Sequence, residues 1–106
     1  MKILLILMLI LPSNHAAPIR EYAHEYIVSR GGNTEWRCFD AVIYRESRWN
    51  PNSENGKHFG LGQIANSKHY LKGKPRKQVQ KTYQYMIHRY GSACGALEFH
   101  LAHNWY

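Results

Sequence analysis

The stretch from Thr34 to Gln63 reads TEWRCFDAVIYRESRWNPNSENGKHFGLGQ. Its first half has a helical pattern and its second half does not. Trp36, Phe39, Val42 and Ile43 recur at the three- and four-residue spacing of one helix face. Thr34 is a candidate N-cap, so the pattern predicts a helix from about Thr34 to Arg48. Glu46 falls on the same stripe, seven residues after Phe39. A carboxyl on the buried side of a helix is costly when ionised and tends to hold its proton. Trp49 to Gly62 then reads as loop, marked by Asn50-Pro51 and Asn55-Gly56, with room for a short β-hairpin after Glu46.

The flanking sequence is also helical. Before this stretch, Pro18 suits a first helical position, and Ile19, Tyr22, Ala23, Tyr26 and Ile27 make one face until Gly31-Gly32 stops it. After it, a short helical turn is expected from Gln63 to His69, then a basic linker from Lys72 to Lys77. A helix follows from about Pro75 to Tyr90, with Val79, Tyr83, Met86, Ile87 and Tyr90 inward and Gly91 as its stop. A last helix is expected to turn Cys94, Leu97, Leu101 and Trp105 inward. Few stretches alternate strictly enough for strands, so the expected fold class is mainly α.

The chain has 106 residues, enough for one domain. Residues 1–16 look like a secretory signal peptide, with Lys2 as the positive start, Ile3 to Leu11 as the apolar core and Ala16 as a small cleavage residue. The apolar run is short for a bilayer span, so no stable membrane insertion is expected after cleavage. The domain would then be 17–106. The formal net charge of +7 suits an anionic polymer, such as a cell wall or a membrane surface, and nucleic acid fits the charge equally well. An exported domain this small has a marginal core, and a Cys38–Cys94 disulfide is expected to brace it. Closing that loop is worth about 4 kcal/mol in loop-closure entropy. Metal spacing is lacking: there is no C-x-x-C, His24-Glu25 does not continue to H-E-x-x-H, and His100 with His103 has no evident third ligand.

A protonated acid opening into a loop-lined cleft is what glycosidic bond cleavage requires. The residues after Glu46 fit that chemistry. Ser47 follows directly, then Asn50-Pro51, then Gly60-Leu61-Gly62-Gln63. This pattern resembles the lytic transglycosylase and goose-type lysozyme superfamily, whose members carry Glu-Ser at a helix end, an Asn-Pro turn and a Gly-Leu-x-Gln block. Trp36-Arg37-Cys38, Tyr90-Gly91-Ser92-Ala93-Cys94 and the closing Trp105-Tyr106 extend the likeness to small bacterial and phage members. The Ala-Tyr-Asn-x-Gly motif of larger members has no match, so no substrate tyrosine carries over, although Tyr83, Tyr85 and Tyr90 lie nearby in sequence.

The resemblance implies a lysozyme-like fold, a secreted, periplasmic or wall location, and peptidoglycan glycan strands as partner. It implies Glu46 as the single catalytic residue, acid and then base, with no cofactor and no metal. Ser47, Phe59, Gly60, Leu61 and Gln63 become the candidate substrate-binding residues. Phe59 and Trp49 are each open to a second reading as core. The remaining acids are Glu21, Glu25, Glu35, Asp40, Glu54 and Glu98, of which Glu54 and Glu98 compete most directly with Glu46. The alternatives are a muramidase that hydrolyses the same bond and a non-catalytic wall-binding module. The domain is expected to act as a monomer without nucleic acid.

Overall fold

Gly31-Gly32 interrupts the first helical run, but the chain enters the next helix at once, so the two halves form one kinked element, α1 (Ala16–Ser47). The kink sits at Gly32, with φ 88° and ψ 178°, a conformation that a side chain would strain. The computed structural model describes the backbone of residues 16–105 and the side chains of 18–105. The expected leader, apart from Ala16, and Tyr106 lie outside the described residues. Arg20 pairs with Asp40, and His24 meets Trp36 edge-on. Both pairs are centred near the kink, so the two halves of α1 fold back on each other as an α-hairpin.

Ile19, Ala23 and Ile27 bury one face of the first half, as the spacing predicts. Trp36, Phe39, Val42 and Ile43 bury the facing stripe of the second. Past Ser47 the chain turns sharply. Arg48 and Trp49 both have positive φ, at 53° and 64°. Such residues cost of order 1–3 kcal/mol each and persist only where surrounding contacts hold them. Here they swing Trp49 inward against Trp36 and Phe39, where its indole N–H donates to Asp40.

The loop after α1 forms a small antiparallel sheet in the order β1 (Glu54–Asn55), β2 (His58–Phe59), β3 (Ile64–Ala65). The expected hairpin is β1–β2, turning at Gly56-Lys57 with Asn55 opposite His58. The helical turn expected from Gln63 to His69 is corrected. Ile64 and Ala65 pair with Phe59 and His58, Asn66 has a positive φ, and α2 is only Lys68–Leu71. The pull of the β2 edge outweighs weak local helix preference over so few residues.

α3 (Pro75–Tyr90) begins with proline in its first turn and ends on left-handed Gly91. Val79, Tyr83 and Met86 are buried, but Ile87 is 42% exposed, contrary to expectation. α4 (Ala93–His103) departs further. Its buried residues are Ala93, Ala96 and His100; Cys94 and Leu97 are half-buried, with Leu97 packed against the core as expected, while Leu101 and, past the helix end, Trp105 are exposed. Packing explains the rotation. The Cys38–Cys94 disulfide forms, with its Cα atoms 4.9 Å apart, so α4 meets α1 closely and the small Ala93 and Ala96 take the centre of the seam. Glu35 fixes the register by accepting from the backbone N–H groups of Ala93 and Cys94, while Ser92 accepts from Gly95. Among the described residues no helix is long and apolar enough to cross a membrane.

Candidate active site: Glu46 and the surrounding cleft

The last turn of α1 places Glu46 at the mouth of a cleft of about 530 Å³. Arg45 and His100 from the two helices, Ser53, Asn55 and Gln63 from the sheet region, and Asn104 at the end of α4 complete the lining. The stripe position foreseen for Glu46 holds in part, since its side chain is 17% exposed. His100, across on α4, is 5% exposed and places Nε2 2.7 Å from Glu46 Oε2. Arg45 Nε donates to the other ring nitrogen, Nδ1, at 3.3 Å. Burial pushes the Glu46 carboxyl above the usual carboxylate range. The His100 bond and the electrostatic influence of His100, His58 and Arg45 offset that only in part.

The competing acids are engaged elsewhere. Glu54 is exposed and pairs with Lys68 Nζ at 2.9 Å. Glu98, expected on the apolar side of α4, faces solvent because of the helix rotation. Asp40 is taken by Arg20 and Trp49, and Glu35 by the start of α4 and the Tyr83 hydroxyl. Glu46 is therefore the one carboxyl that lines this cleft among the described residues.

The residues singled out around the motif separate into two groups. Gln63 reaches the cleft; Phe59 and Leu61 turn their side chains into the core, at 3% and 0% exposure. Ser47 is also buried, with its hydroxyl donating to Ile43 O inside the helix. Gly60 and Gly62 serve close packing. A Cβ on Gly60 would come within 2.6 Å of Gln78 Oε1, and one on Gly62 within 2.3 Å of Thr82 Oγ1. Gln78 and Thr82 are one turn apart on α3, so the Gly-Leu-Gly run is shaped to lie along that helix. Gln63 holds the loop together, with Nε2 donating to Ser53 O and Gly60 O at 3.0 and 2.8 Å.

Two residues that build the site escape sequence reasoning. Gln78 is buried, accepts from Leu61 N–H and donates to Pro51 O and Leu71 O, so it clamps two loop segments and the end of α2 at once. Its only sequence signal is its place beside Val79 on the buried face of α3. His100 carries the clearer signal: a histidine seven residues after Ala93, on the face that closes against α1. Of the nearby tyrosines, Tyr85 lines an adjoining cleft of about 220 Å³ that shares Gln63 and includes His58. Tyr83 is buried against Glu35, and its hydroxyl is pushed up to about 12 by burial and that bond. No group of three or more metal-ligating side chains occurs among the described residues. The chain matches no family model, no curated protein and no solved structure.

Proposed function

We propose that this chain is an exported peptidoglycan-cleaving enzyme of the lytic transglycosylase type, with a lysozyme-like fold and Glu46 as its acid and then its base. One observation carries the reading: a half-buried carboxyl, held above the ordinary range, stands without another carboxyl in a polar cleft. The motif likeness from Glu46 to Gln63 supplies the substrate class. The disulfide and the net charge of +7 suit an oxidising compartment and an anionic wall.

Protonated Glu46 gives its proton to the oxygen between N-acetylmuramic acid and N-acetylglucosamine, and the C1–O bond breaks. The carboxylate then takes the proton of the muramoyl C6 hydroxyl, whose oxygen closes on C1 to give a 1,6-anhydro ring. Glu46 ends protonated, and no water is consumed. General acid–base help of this kind is worth about 10²–10⁴-fold. A hydrolase with two acids needs the second about 5–9.5 Å from the first. The other acids among the described residues are absent from the cleft lining, which favours capture by the substrate's own hydroxyl. Gln63 shapes the cleft wall by fixing the Ser53 and Gly60 carbonyls.

The test is mass analysis of fragments released from purified peptidoglycan by the wild type and by Glu46→Gln. Anhydro ends, lighter by one water, are expected from the wild type and none from the variant. Reducing ends alone would assign the chain as a muramidase. Unchanged release by Glu46→Gln would remove Glu46 from catalysis, and no release by either protein would favour a wall-binding module.

A further inference from the structure

We infer that His100 is a positioning residue for Glu46, and that Arg45 sets the ring tautomer through which it acts; this rests on the acid–base role of Glu46 proposed above. The guanidinium of Arg45 has donors only, so His100 Nδ1, at 3.3 Å, must be the acceptor. With Nδ1 accepting, the ring proton lies on Nε2 and is donated to Glu46 Oε2 at 2.7 Å. Oε2 is thereby an acceptor whether Glu46 is ionised or not. The proton of the acid is left to Oε1, which makes no hydrogen bond with the described residues. One oxygen is held and the other reacts.

Two features make the hold firm. His100 is buried, so its ring cannot swing into solvent. Its helix is fixed to α1 by the Cys38–Cys94 bridge and by Glu35 at the α4 N-terminus. The charged or titratable groups acting on Glu46 are His100 from α4, His58 from β2 and Arg45 from its own helix. Of these, His100 is hydrogen-bonded to the carboxyl. Its bond favours the carboxylate formed after the first proton transfer, and it keeps that carboxylate oriented for the second.

The experiment compares His100→Leu and His100→Gln with the wild type in peptidoglycan cleavage across pH, alongside Glu46→Gln. Leucine removes the donor and should lower kcat about 10²-fold with KM little changed. It should also move the basic limb of the kcat/KM profile to higher pH, because the lost bond favoured the ionised acid. Glutamine, whose amide nitrogen reaches the Nε2 position, should restore most of kcat and return the limb. Independently of turnover, ¹⁵N shifts of the His100 ring should show a proton on Nε2 in the wild type and a mixture of tautomers in Arg45→Met. Unchanged kcat and limb in His100→Leu, or a wild-type ring that carries a proton on Nδ1, would overturn the inference and leave Glu46 standing if Glu46→Gln is inactive. If Glu46→Gln still cleaves, the acid–base role itself fails, and the inference with it. Should the leucine variant not fold, the glutamine variant and the ring shifts decide.

Discussion

Replacing Gln78 with methionine keeps nearly the same volume and removes every hydrogen bond of the clamp. Leu61 N–H, bonded at 2.8 Å, and Leu71 O, at 3.0 Å, are both buried bonds. A buried backbone group left unsatisfied costs about 1–3 kcal/mol, so the two together cost about 2–6 kcal/mol. Pro51 O is only part-buried and can turn to water, so it adds little. The thioether returns about 1 kcal/mol through its greater apolar burial. The net loss worked from these terms is about 3 kcal/mol, which for a domain of this size lowers Tm by roughly 12–24 °C. Urea unfolding followed by circular dichroism should show a lower midpoint with an unchanged slope. Gln84→Met, on the exposed face of the same helix, serves as the control and should stay within about 0.5 kcal/mol of wild type. A loss below about 1 kcal/mol in Gln78→Met would refute the claim that this side chain clamps the loop.

Gly62→Ala drives a Cβ against the Thr82 side chain and should cost about 1–3 kcal/mol, read by the same unfolding experiment, whereas Gly56→Ala meets no neighbour and should cost only its φ strain. Glu35→Ala leaves the first N–H groups of α4 and the Tyr83 hydroxyl without their acceptor, and should cost about 2–3 kcal/mol; amide exchange at Ala93 and Cys94 should speed up with it. Cys38→Ser with Cys94→Ser opens a bridge spanning 56 residues and should lose about 4 kcal/mol by chemical denaturation. Glu46 binds its proton more tightly folded than unfolded, so its favourable share of stability is present at low pH and is lost as pH rises through its folded value. Glu46→Gln should therefore be the more stable protein at neutral pH, with the gap closing in acid; a gap that widens in acid would contradict the raised proton affinity.

The parts of the fold that could be read from sequence are those fixed by local chemistry. Pro75 and Gly91 bracket α3, the Gly31-Gly32 pair marks the kink, and Asn55-Gly56 marks the hairpin. The rotation of α4 was hidden because leucine spacing suggests a seam, while a close approach beside a disulfide selects alanine. β3 was hidden because two residues carry no period, and its partner β2 decides its state. In the site, Glu46 was visible from its stripe and from the motif after it. Its partner was not, since His100 is 54 residues away and meets it only once α4 is docked. Gly60 and Gly62 of the motif pack against Gln78 and Thr82 of α3, side chains that no local pattern ties to this loop.

The bridge between α1 and α4 has a mechanical consequence. His100 lies six residues beyond Cys94, about 9 Å along the helix axis. If the disulfide is the pivot, α4 is a lever with the imidazole at its tip. Holding a positioning group to within about 0.5 Å then allows the lever a wobble of only about 3°. That tolerance is too fine for one covalent pin. It falls to the alanines at the seam, Ala93 and Ala96, and to the carboxylate that grips the lever's root, to keep the tip on target.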